Sequence, residues 1–150
     1  MYDEVMSTAT FTDLLRKPKE VLALINAGQV RITRRDGDDL VILRGHDLAI
    51  LEEGAALSSQ LIRAIGRNKN NVVLALTDLF GWTGELSAQE LNSYASEIEQ
   101  LLYTASELGT FERLLRAQQE WKETALAYAM GLRPSQPVEL PDTAVRVDRP

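Results

Sequence analysis

A chain of 150 residues with 45% apolar content can pack one or two small domains, and with no cysteine it excludes disulfides and thiolate metal sites. The formal net charge of −6 speaks against nonspecific coating of nucleic acid. Residues 1–45 nevertheless balance at zero, so a local basic face near the N-terminus stays open.

Taken in order, the four residues Met1-Tyr2-Asp3-Glu4 carry the wrong charge for a signal peptide. No apolar run approaches a membrane span, so a cytoplasmic protein without a membrane partner is expected. Met6 to Ala9 reads as an edge strand, and Thr10 or Thr12 as the cap of a brief helix through Leu15. Pro18 suits the first position of the next helix, whose apolar side is Val21, Leu22, Leu24 and Ile25 and whose end is Gly28.

Gly28 to Arg44 reads as a β-hairpin, with Asp36-Gly37 predicting a two-residue type I′ turn. That turn sets Arg35 opposite Asp38, Arg34 opposite Asp39, Thr33 opposite Leu40, Ile32 opposite Val41, Arg31 opposite Ile42 and Val30 opposite Leu43. Val30, Ile32, Val41 and Leu43 then form the buried face under the helix that starts at Pro18. Arg31, Thr33, Leu40 and Ile42 fall on the other face, a candidate seam between two copies.

Asp47 is placed to cap the next helix, with Leu57, Leu61, Ile62 and Ile65 as its stripe and Gly54 and Gly66 as breaks. The polar run Arg67 to Asn71 is the expected boundary between an N-terminal domain, 1–67, and a helical region, 72–132. Val72 to Phe80 fits a strand or a helix equally. Ser87-Ala88-Gln89-Glu90 matches a capping box. It starts a helix bearing Leu91, Tyr94, Ile98, Leu101, Leu102, Ala105 and Leu108, which Gly109 stops. Thr110 then caps a second helix bearing Phe111, Leu114, Leu115, Trp121, Ala125, Tyr128 and Ala129, so the two form an αα-hairpin. Residues 133–150, punctuated by prolines, read as an extended tail without a core of its own.

Leu15-Arg16-Lys17-Pro18-Lys19-Glu20-Val21-Leu22, then Gly28, then Ile32-Thr33-Arg34-Arg35-Asp36-Gly37 resemble the Phd/YefM (prevent-host-death) antitoxin family over the first third of the chain. Phe111 to Leu115 and Glu120 to Ala125 look, more weakly, like the C-terminal half of longer members. The resemblance implies an α+β fold: a small β-hairpin/helix N-terminal domain of Phd/YefM type, a helical C-terminal half and an extended tail. It also implies a homodimer that binds operator DNA, represses its own operon, and neutralises a cognate toxin, within higher toxin–antitoxin oligomers in some cases. A PIN-type ribonuclease is one candidate toxin. Many members carry E-A-R in the first helix, with the arginine directed to DNA, where this chain reads about Ala9-Thr10-Phe11. DNA contact would then rest on Arg16, Lys17, Lys19, Arg34 and Arg35.

Plainer readings accompany each candidate. Arg34 and Arg35 face aspartates in the expected register, so cross-strand pairing accounts for them as well as DNA does. Trp121 and Tyr128 suit a toxin-binding hot spot or the closing of the helical hairpin. Arg133, Val145 and Arg146 in the tail suit docking on a partner, with arginines drawn to a carboxylate-lined toxin site. His46-Asp47 reads as a helix entry, and Glu52-Glu53, adjacent on a helix, do not face each other as metal ligands would. No enzymatic activity, cofactor or metal is expected. The rival to the antitoxin reading is a non-enzymatic dimeric adaptor that never meets DNA.

Overall fold

The computed structural model describes residues 6–134. Strand β1 (Ser7–Thr10) leads into two short helices, α1 (Phe11–Arg16) and α2 (Pro18–Ala23), the second prolonged by a 3₁₀ turn over Leu24–Ala27. Strands β2 (Val30–Thr33) and β3 (Leu40–Ile42) follow. The rest is helical: α3 (Gly45–Arg67), α4 (Val72–Leu79), a 3₁₀ segment (Gly81–Glu85), α5 (Ala88–Leu108) and α6 (Glu112–Ala129). The architecture is α+β, a small mixed sheet followed by a mostly helical chain.

The local signals at the short helices act as their chemistry dictates. The Thr10 hydroxyl accepts from the Asp13 N–H at 3.0 Å and the Asp13 carboxylate accepts from the Thr10 N–H at 3.2 Å, a reciprocal cap that starts α1. Pro18 occupies the first turn of α2, where its missing N–H costs nothing. Gly28, at φ 125°, takes the positive φ that ends the 3₁₀ turn.

The sheet has the order β1-β2-β3, with β1 parallel and β3 antiparallel to β2. The parallel pair requires a crossover, and α1 and α2 supply it. The hairpin register differs by one residue from the expected one: Val30 pairs with Ile42, Arg31 with Val41 and Ile32 with Leu40. Neither Asp36 nor Gly37 has the positive φ of a type I′ turn. Residues 34–39 form a wider loop, braced by the Arg34 Nε–H donating to the Asp38 carbonyl at 2.9 Å.

Because side chains alternate, that slip moves the whole of β3 to opposite faces. Ile42 joins Val30 and Ile32 on the helix-covered face, Leu40 shares that face but stays 41% exposed, and Val41, 47% exposed, joins Arg31 on the open one. The expected seam of Arg31, Thr33, Leu40 and Ile42 is therefore not one surface. Arg31 and Thr33 lie on the open face and Leu40 and Ile42 on the other.

Two hydrophobic cores result. The N-terminal one holds Ala9, Val21, Val30 and Ile32, with Leu14, Ile25 and Ile42 at its edge. The larger holds Leu61, Leu76, Tyr94, Ile98, Leu102, Leu114 and Ala125 among others, with Leu57 and Ile65 packed on it. Helix α3 thus belongs to the helical core, and the division between cores falls near Arg44-Gly45 rather than at the Arg67–Asn71 connector. Gly54 does not break α3, which runs unbroken for 23 residues. A Cβ at Gly54 would stand 2.1 Å from the Phe111 Cβ, so the missing side chain is what lets Phe111 lie on the helix.

Gly66 is likewise inside α3. Its N-cap is Arg44, with Asp47 in the first turn, and Arg44 donates to the Asn26 Oδ1 at 2.7 Å, tying the hairpin exit to the end of the crossover. The apolar run from Val72 is a helix, capped by Asn71, whose Oδ1 accepts from the Leu74 N–H. Ser87 and Glu90 form the expected capping box of α5, and Gly109, at φ 66°, closes it in the left-handed region. Phe111 rather than Thr110 is the N-cap of α6.

Candidate functional site

Two surfaces carry the candidate residues, one at the rim of the sheet and one on the helical hairpin. At the rim, the parallel register sets Thr10 beside Thr33, so β1 and β2 end together. From that end α1 begins and the loop 34–39 departs. A groove there is lined by Thr10, Phe11 and Thr12 from the start of α1 and by Thr33, Arg34, Arg35 and Asp36 from the end of β2 and the loop after it. The cap on α1 fixes the Phe11 and Thr12 backbone. It also occupies the Asp13 carboxylate, which the Thr10 backbone N–H, then its hydroxyl, hold below the usual carboxylate range.

The five basic candidates divide. Arg34 and Arg35 share the groove, whereas Arg16, Lys17 and Lys19 do not line it. These three sit at the junction of α1 and α2, exposed, with Lys17 3.9 Å from Glu20. The expected pairing of Arg34 with Asp39 is replaced: Arg34 bonds the Asp38 carbonyl, and Arg31 takes Asp39 at 3.6 Å. The register explains the exchange, since Asp39 stands two residues from Val41, the partner of Arg31, on the same face. Among the described residues no carboxylate lies within ion-pair distance of Arg35.

Phe11 was not a candidate from sequence, and it is the side chain that gives the groove an apolar wall while remaining 40% exposed. The available signal was its place, an apolar residue directly after the Thr10 cap.

On the helical hairpin, α5 and α6 are joined by three side-chain hydrogen bonds. The Tyr94 hydroxyl donates to Gln118, the Trp121 indole N–H to Glu97 at 3.2 Å, and the Tyr128 hydroxyl to Glu90. Phe80, Trp82, Tyr94 and Trp121 form a line of rings at successive centroid distances of 5.5 Å. Trp121 and Tyr128 are thus held within the hairpin, both half-buried, with their polar tips engaged. Arg133 donates to the Glu85 carboxylate at 2.9 Å and lies over the Tyr128 ring at 5.5 Å, so the residue is fastened to the end of the 3₁₀ segment that precedes α5. Val145 and Arg146 lie outside the described residues. At the end of α6, Leu126, Met130 and Leu132 leave an exposed apolar strip.

Among the described residues no group of three or more His, Asp or Glu is placed to hold a metal ion, and no helix is long and apolar enough to cross a membrane. Compared with protein-family models, curated proteins and solved structures, the chain finds no match.

Proposed function

We propose that the chain is the antitoxin of a type II toxin–antitoxin pair, resembling the Phd/YefM family. In this reading its paired N-terminal units bind operator DNA, and its helical half and tail neutralise a cognate toxin, with a PIN-type ribonuclease as one candidate. The observation that carries the reading is the groove in which Arg34 and Arg35 of the resembling stretch meet the start of α1. Guanidiniums at the rim of a small sheet supply phosphate contacts and hence salt-dependent binding.

For the toxin, Trp121 and Tyr128 are occupied inside the hairpin. The exposed strip Leu126, Met130 and Leu132, next to Arg133 and the tail, is the better docking surface, because contiguous exposed apolar side chains mark interaction sites. Arg133 would have to exchange Glu85 for a toxin carboxylate, a small cost for a solvent-exposed ion pair.

A dimeric adaptor without DNA binding is favoured by one specific observation, that Arg31 and Arg34 both make contacts within their own chain. Co-expression with the product of the adjacent gene tests the first half of the proposal. The two proteins are expected to co-purify and growth arrest by the toxin to be relieved; independent purification with arrest unchanged would overturn it. Titration of the chain against its own promoter at low salt tests the second half, and a flat curve would leave the adaptor.

A further inference from the structure

We infer that Leu43 is a hinge between the sheet unit, β1 to β3, and the helical unit, α3 to α6, and that the Arg44–Asn26 bond is the latch across it. The sheet-rim groove and the apolar strip at the end of α6 belong to different units, so a turn at Leu43 changes their separation. The hinge does not depend on what either surface binds.

The two hydrophobic cores share no residue among those described, and units joined without a large apolar interface move relative to one another. Between them lies a cleft of about 290 Å³, walled by Met6 and Gln29 from the sheet unit and by Ile50, Leu51, Phe111 and Glu112 from the helical one. Packed interiors leave few voids larger than a water molecule, so a space of this size marks surfaces that do not interdigitate. The connection is short, since β3 ends at Ile42 and α3 begins at Gly45. The Arg44 carbonyl already accepts from the Leu48 N–H at 3.1 Å, so Arg44 moves with α3, and the free torsions are those of Leu43 and the φ of Arg44. The Arg44 guanidinium, carried by α3, donates to the Asn26 Oδ1 at the end of the crossover at 2.7 Å. A turn at Leu43 must therefore break this bond. Both partners are exposed, so water replaces the bond at small cost and the latch can open. A Cβ at Gly45 would meet nothing within 4 Å, which leaves the backbone just past the hinge room to swing.

The test is double electron–electron resonance on the full chain, which has no native cysteine to interfere with spin labels. One pair of labels, at Ala23→Cys and Lys122→Cys, spans the hinge; a second, at Gln60→Cys and Lys122→Cys, lies within the helical unit. All these positions are exposed, and dilution with unlabelled chain removes distances between copies. Arg44→Ala and Asn26→Ala each release the latch, so the cross-hinge distance distribution is expected to broaden and shift while the internal one stays narrow. Arg44→Pro also lacks the guanidinium, but Arg44 already holds the φ of −66° that proline imposes, and proline restricts the preceding Leu43 as well. This variant is expected to give a narrower cross-hinge distribution than Arg44→Ala. A cross-hinge distribution that neither Arg44→Ala nor Asn26→Ala alters would remove the latch, and one as broad in Arg44→Pro as in Arg44→Ala would remove the hinge at Leu43. Equal broadening of the internal pair would overturn the inference too, the variants then loosening the helical unit itself.

Discussion

At the scale of single residues, Gly54 shows how a tertiary contact reverses the meaning of a local signal. Glycine inside a helix costs about 1 kcal/mol relative to alanine, and in isolation it marks a break. Here Phe111 from the start of α6 packs into the space a side chain would fill. Gly54→Ala therefore gains helix propensity and loses more to overpacking, for a net destabilisation of about 1–3 kcal/mol by urea unfolding. The same change in a Phe111→Ala background should cost less or stabilise; additive losses would show that the two residues do not meet. Arg34 makes the same point at the hairpin. Its charge was readable, but its bond to the Asp38 carbonyl depends on a loop that Asp36-Gly37 did not announce.

At the scale of elements, helix ends were the most legible features. Thr10, Pro18, Gly28, Ser87 with Glu90, and Gly109 each act within a turn of chain, so local chemistry decides them. Glu90 has a second, non-local role, accepting from Tyr128 on α6. The Tyr128 hydroxyl first, then the Ser87 backbone N–H, hold its carboxyl below the usual 4.5. The unfolded chain therefore takes up the proton first as pH falls. The stabilisation is complete above about pH 4.5 and is lost as pH drops through the lower folded value. Glu90→Gln should flatten the fall of stability below about pH 4.5 in urea titrations. An unchanged slope would remove Glu90 from the linkage. The hairpin register was the least legible element. A one-residue difference in register, which a two-residue signal cannot fix, put Leu40 and Ile42 in place of Val41 and Leu43 on the face of Val30 and Ile32, with only Ile42 packed on the core.

At the scale of the whole molecule, the chain is two cores of unequal size joined through α3. The helical core includes α3, α4, α5 and α6 and contains most of the large buried side chains. The N-terminal core rests on four buried apolar residues. A fragment of residues 45–134 is accordingly expected to unfold cooperatively with a helical circular dichroism spectrum, whereas residues 1–44 alone should show no cooperative transition, too small a core being left. Cooperative melting of the small fragment, or none in the large one, would refute this division.

The sequence by itself determined the helix ends at Thr10, Pro18, Gly28, Ser87 and Gly109, the helical hairpin and the α+β class, because each depends on spacing along a few residues. Only the tertiary structure decided the strand register, the membership of α3 in the helical core, and the packing of Phe111 on Gly54. These depend on which distant surfaces pack, since a sheet face and a helix stripe acquire partners only when the chain closes on itself.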